Sequence, residues 1–211
     1  MEQEVDALWN SFCTLIPSSM RHKVKIFASE IASLTDARYF SAIGAEWLGH
    51  FPEKTGLSDT DFASIKTWVT GPEWVLEQME EEGAEERMKA LELSLYKLSS
   101  PKLSTNAHFV EYTLEQWLKM NLDIELHPRY WVVSIDEMPT EYELIRLKRT
   151  AGLHAILLKM PRLTQDQIIH IIQKSQPYGV VLCGSKEDKT GYKSFDRIND
   201  IIDKMQDLQW V

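Results

Sequence analysis

The sequence predicts an α/β protein, a (β/α)8 TIM-type barrel with one extra helix at its N-terminus, and three observations carry that prediction. Short apolar runs rich in β-branched residues recur from Lys23 onward, as strands buried on both faces of a parallel sheet require. Each run is followed by a segment of helical character, so successive segments read as βαβ units. Residues 23–211 hold eight such units at about 24 residues each, compact but sufficient for a closed barrel. A doubly wound open sheet is the main competitor, and no Gly-x-Gly-x-x-Gly turn follows the first strand to support it.

Residues 1–22 read as a helical extension ahead of the barrel domain at 23–211. Val5, Leu8, Trp9, Phe12 and Leu15/Ile16 fall at helical spacing behind an acidic first turn, and Pro17-Ser18-Ser19 ends the run. Two readings stand for its apolar face: a cover for the barrel floor, or a subunit contact. Strand 1 is Lys23–Ala28, and its helix runs from Leu34-Thr35-Asp36, where Thr or Asp can cap, to Ile43-Gly44. Strand 2 is Glu46–Phe51, with a helix over Asp59–Val69. Strand 3 is Glu73–Glu77, followed by the acidic helix Glu80–Leu91, whose outer face carries the Glu85–Lys89 pair. Strand 4 is Leu93–Leu98, and residues 99–107 form a loop at the ligand-facing end. Strand 5 is His108–Tyr112 with helix Leu114–Asn121; strand 6 is Tyr130–Ile135 with helix Thr140–Thr150. Strand 7 is Ala155–Lys159 with helix Gln165–Lys174, strand 8 is Gly179–Cys183, and the last helix is Phe195–Leu208.

The totals narrow the partners. A formal net charge of −9 argues against nucleic acid or an anionic membrane, because phosphate backbones and acidic lipids need a basic footprint. A small anion remains compatible, since a few backbone N–H groups can hold it. Cys13 and Cys183 form no CxxC pair, and His108, His127 and His154 show no metal spacing, so neither a metal nor another cofactor is expected. Two lone thiols, an acidic N-terminus unlike a signal peptide and no apolar run near 18 residues together suggest a cytoplasmic protein.

Two stretches carry a resemblance. The first is Lys23-Val-Lys-Ile-Phe-Ala-Ser29, then Leu34-Thr-Asp-Ala-Arg38, then Ile43-Gly-Ala-Glu-Trp-Leu-Gly49. The second is Gly179-Val-Val-Leu-Cys-Gly-Ser-Lys-Glu187 through Gly191-Tyr-Lys193 to Ile198. Together they resemble the opening and closing segments of the phosphoribosylanthranilate isomerase family, and Leu157–Gln167 can be laid on that family's strand 7 and following helix. The overlay spans residues 23 to about 208, with its distinctive motifs at the two ends.

The resemblance implies a barrel whose C-terminal face performs an Amadori rearrangement of a phosphorylated aminoaldose, with a general base, a general acid and a phosphate grip. The family's basic cysteine at the end of strand 1 falls on Phe27, which cannot take a proton, so the family activity is in doubt; Ser29 and Glu30 are the nearest polar groups. The family's acid, at the end of strand 6, falls on Asp136, whose alternative reading is a cap of the following turn or the start of the run before Pro139. The phosphate grip falls on Gly184 and Ser185 after strand 8, with small residues that let backbone amides approach an anion. After strand 7 the family's glycines are replaced by Lys159-Met160-Pro161-Arg162, where Lys159 could supply charge instead. In the family's arginine loop after strand 2, Lys54 is the only cation, without the bidentate fork. His50 also follows strand 2, where a lone histidine is more often structural. The partner implied is a small phosphorylated metabolite, with a homodimer left open. The alternative is a non-catalytic barrel that binds a metabolite or a protein.

Overall fold

The computed structural model describes residues 23–99, 106–120, 128–184 and 194–210. Its eight parallel strands close into one barrel in chain order: β1 Lys25–Ser29, β2 Trp47–His50, β3 Glu73–Gln78, β4 Leu95–Leu98, β5 Phe109–Thr113, β6 Tyr130–Ser134, β7 Ile156–Lys159 and β8 Gly179–Cys183. Closure runs from Lys25 opposite Gly179 to Ser29 opposite Cys183. The expected (β/α)8 architecture is therefore observed and the open sheet is excluded. The helix expected over residues 1–16 lies outside the described residues, as does most of the 99–107 loop.

The helices are α1 Leu34–Ala42, α2 Pro52–Thr55, α3 Asp59–Thr67, α4 Ala84–Ala90, α5 Leu114–Lys119, α6 Glu141–Ala151, α7 Gln165–Ser175 and α8 Asp196–Asp207. Their starts follow local chemistry. Ser33 and Ser58 accept the amides of Asp36 and Asp61, and Thr113, Thr140 and Thr164 form reciprocal capping boxes with Gln116, Glu143 and Gln167. Two elements depart from the sequence reading. The acidic helix begins at Ala84 rather than Glu80, because Gly83 adopts φ 75° and holds Glu80–Glu82 outside the helix. The one-turn α2 follows β2 directly, opened by Pro52 and closed by Gly56 at φ 72°.

Period-two alternation divides the apolar residues of the strands between the barrel interior and the layer beneath the helices, the latter in two clusters. One set fills the barrel: Phe27, Trp47, Val75, Leu95, Phe109, Tyr130, Val132, Leu157 and Val181. Its aromatic rings pack edge to face, as Trp47 does 5.4 Å from Phe109, or stacked, as Phe109 does 4.5 Å from Tyr130, with Phe27 tilted 5.1 Å from Phe109. The alternate set, including Ile26, Ala28, Leu48, Val133, Leu158 and Val180, packs against helix residues such as Phe40, Leu144, Ile168 and Ile201. The barrel is thus packed solid beneath its C-terminal mouth.

Candidate functional site

Moving two residues along each strand from that interior set reaches Ser29, Gly49, Glu77, Lys97, Glu111, Ser134, Lys159 and Cys183. The same alternation that puts Phe27 inside puts these residues above it. Four of them ionise, and they form a continuous chain. Ser29 Oγ donates to Glu77 Oε2 at 2.7 Å, and the Glu30 amide donates to Glu77 Oε1 at 2.8 Å. Lys97 Nζ lies 2.8 Å from Glu77 Oε2 and 2.5 Å from Glu111 Oε2. Lys159 Nζ lies 3.2 Å from Glu111 Oε1 and 3.4 Å from Glu30 Oε1. Lys54, on α2, completes the chain with Nζ 2.9 Å from Glu30 Oε1 and 5.0 Å above the Phe51 ring. Three carboxylates thereby meet three ammonium groups.

Such burial is tolerated only because every charge has partners. Glu77 and Lys97 are wholly buried, and the Glu111 side chain is 14% exposed. Burial would push the Glu111 carboxyl up, but Lys97 and Lys159 outweigh it and hold it down at about 2. Burial alone would also discharge Lys97, yet Glu77 and Glu111 hold its ammonium above the ordinary lysine range. Lys159 is raised in the same sense despite burial and the Lys97 charge. Both amines are therefore charged at neutral pH, which excludes them as nucleophiles or bases in this arrangement. Burial pushes the Cys183 thiol up to about 11, so it is an inert side chain.

Phe27 occupies the interior wholly buried, with its ring 6.4 Å from Trp47 and 5.1 Å from Phe109. Asp136, expected as the acid, is half-exposed on the loop after β6, with Oδ1 3.6 Å from Nε of an exposed Arg162. Lys159, expected to supply charge to an anion, is bound to Glu30 and Glu111. The Gly184 amide, expected as an anion donor, donates to the Ser29 carbonyl at 3.1 Å, extending the β8–β1 ladder by one bond. Ser185 lies outside the described residues. Glu77, Lys97 and Glu111 were missed by sequence reasoning. Their signal was a charged residue at inward parity near the end of an otherwise apolar strand.

A pocket of roughly 240 Å³ opens beside Lys159, between β7, β8, α7 and α8. Met160, Ile168, Val181, Leu182, Ile198 and Ile201 give it aliphatic walls, and Lys159, Gly184, Ser194 and Arg197 supply its polar edge. Arg197 donates to the carbonyls of Pro161 and Leu163 at 3.1 and 2.7 Å, which ties α8 to the loop after β7.

His50 turns away from the mouth, toward α3. Its Nε2 lies 3.0 Å from Asp59 Oδ1, and its ring stacks 4.1 Å from Phe62. Asp59 in turn accepts Arg87 Nε and an Nη at 3.0 and 2.9 Å. Histidine here is a strut between β2 and two helices, consistent with the structural role. No group of three or more metal-ligating side chains exists among the described residues, and no described helix is long and apolar enough to cross a membrane.

Fold and mouth define a (β/α)8 barrel of the class whose chemistry sits at the C-terminal ends of the strands, here filled with a self-neutralised ionic layer. Among the solved structures it matches are phosphoribosylanthranilate isomerases. The enzyme from Thermus thermophilus superposes with a TM-score of 0.67 at 14% identity, covering 88% of this chain and 100% of that one. TrpF from Jonesia denitrificans gives 0.67 at 13%, covering 88% and 98%. A phosphoribosylanthranilate isomerase in complex with reduced 1-(o-carboxyphenylamino)-1-deoxyribulose 5-phosphate gives 0.55 at 16%, covering 87% and 99%. The likeness is one of fold. No protein-family model and no curated protein matches the chain.

Proposed function

We propose that the protein is a ligand-binding barrel that takes a small phosphorylated, sugar-type metabolite at its C-terminal mouth and does not carry out the isomerase reaction. The pocket beside Lys159 carries this reading. Barrels of this architecture commonly bind phosphate between the loops after strands 7 and 8, and here that position holds an open pocket with an ammonium group at its edge. A similar solved structure holds a sugar phosphate derivative. The aliphatic walls favour a ligand with an apolar face, and Asp136 on the neighbouring loop is its proposed polar contact.

Catalysis of the family reaction needs a base within hydrogen-bond reach of a carbon-bound proton. Phe27 offers none, and the amines above it are protonated and paired. Losing a catalytic base costs on the order of 10²–10⁴ in rate. The expected result is that phosphoribosylanthranilate consumption, followed by fluorescence, stays at background for the wild type and for Asp136→Asn alike. Calorimetric titration with ribose 5-phosphate should show binding that Lys159→Met weakens about tenfold, the effect of removing one close charge. Turnover that vanishes in Asp136→Asn would overturn the non-catalytic part. Equal affinity in the wild type and Lys159→Met would overturn the binding part.

A further inference from the structure

Glu30 differs from the other acids of the mouth. Glu77 and Glu111 rise from strands inside the barrel, whereas Glu30 sits just past the end of β1 with φ 62°. Its side chain is 23% exposed, more than either of the other two. A non-glycine residue in the left-handed region costs roughly 1 kcal/mol and persists only when its surroundings hold it there. Its amide is held by Glu77 Oε1 at 2.8 Å, and its carboxylate by two ammonium groups from either side of β1, Lys54 after β2 and Lys159 on β7, both directed at Oε1. Lys97 and Glu111 satisfy one another without Glu30, while Lys54 has Glu30 as the one acid paired with it among the described residues. Without the Glu30 carboxylate, the cluster carries one uncompensated positive charge, shared by Lys54 and Lys159, the second of which lines the pocket.

We propose that Lys54 and Lys159 form an anion-binding site for a carboxylate or phosphate group, and that the chain's own Glu30 carboxylate fills it as an internal competitor until a ligand displaces it. The site deepens the binding reading above through the shared Lys159, but its existence does not depend on the identity of the metabolite. Glu30 stands on a single-residue left-handed turn at the rim, so its release leaves the strands unmoved. Lys54 is held over the Phe51 ring at 5.0 Å, which keeps one jaw in place when the carboxylate leaves. Any anion must outcompete a carboxylate tethered by the chain, so the free site is weak toward simple anions and selective for ligands that also fill the pocket.

The test uses inorganic phosphate as the probe, titrated calorimetrically into the full chain at constant ionic strength. Glu30→Gln should bind phosphate about tenfold more tightly than the wild type, the effect of removing one close like charge. Glu30→Gly, which suits φ 62°, serves the same purpose should the amide variant misfold. Adding Lys54→Met to either variant should return affinity to the wild-type level. Glu115→Gln, which removes the same charge from an exposed helix pair with Lys119, should leave it unchanged. Phosphate affinity that does not rise in Glu30→Gln and Glu30→Gly, or that rises equally in Glu115→Gln, would overturn the proposal. If wild-type protein binds no ribose 5-phosphate but Glu30→Gln gains phosphate affinity through Lys54, the metabolite reading fails while the internal competitor stands.

Discussion

A Cβ on Gly49 would lie 1.9 Å from Glu77 Oε1 and 2.6 Å from its carboxyl carbon. Ordinarily the end of a glutamate could swing aside. This one is fastened by Ser29, the Glu30 amide and Lys97, all within 3.0 Å. The absence of a side chain at position 49 is therefore part of the ionic layer. Gly49→Ala is expected to destabilise the fold by about 1–3 kcal/mol, the usual cost of overpacking a well-filled interior. The source of that cost is checked by a double-mutant cycle in urea. In a Glu77→Ala background the same substitution should cost little, giving a coupling energy of about 1 kcal/mol or more. Strict additivity would show that the carboxylate is not what the methyl group meets.

At the scale of elements, most of the architecture was legible in the sequence, and the reasons are local. The helices expected over Thr140–Thr150 and Gln165–Lys174 begin within a residue of the observed starts, which capping boxes at Thr140 and Thr164 fix. The acidic helix was placed too early because composition alone does not report that Gly83 takes a left-handed conformation. The candidate site was read less well. Phe27 was read as a residue unable to take a proton, and it lies wholly buried in the interior, but Glu77, Lys97 and Glu111 acquire meaning only when three strands converge, and no local pattern announces convergence. His50 illustrates the same limit, since its partner Asp59 lies on α3 and Arg87 on α4. Burial disfavours the imidazolium and outweighs Asp59, so the His50 pKa lies below its ordinary 6.5. The folded chain then binds fewer protons than the unfolded one. The stability this contributes is complete above pH 6.5 and is lost as pH falls from there through the folded value. His108 acts in the same direction, so the effect is isolated by comparison. His50→Gln should lower stability at pH 7.5 yet show a shallower decline between pH 6.5 and 5. Parallel declines in the two proteins would assign the slope to other groups.

For the molecule as a whole, the barrel interior has an apolar lower part and an ionic upper part, and the two respond differently to solution conditions. The aromatic and aliphatic set around Phe27 and Trp47 holds no group that titrates in acid, whereas the layer above it depends on its carboxylates staying charged. Glu111 is the central member, because it bridges both interior lysines. Its pKa is lowered from 4.5 to about 2 in the folded chain. The unfolded chain therefore takes up the proton first as pH falls. The stabilisation is fully present above about pH 4.5, and it disappears as pH falls through about 2. A difference of that size corresponds to about 3 kcal/mol. Lys97 and Lys159 remain protonated throughout, so the change belongs to the acid alone. Urea unfolding of the wild type and Glu111→Gln should differ most near pH 6. The gap should narrow steadily toward pH 3, because acid neutralises in the wild type the same charge that the substitution removes. A gap that holds constant across this range would mean that the Glu111 charge contributes nothing to stability and that the side chain acts by packing alone.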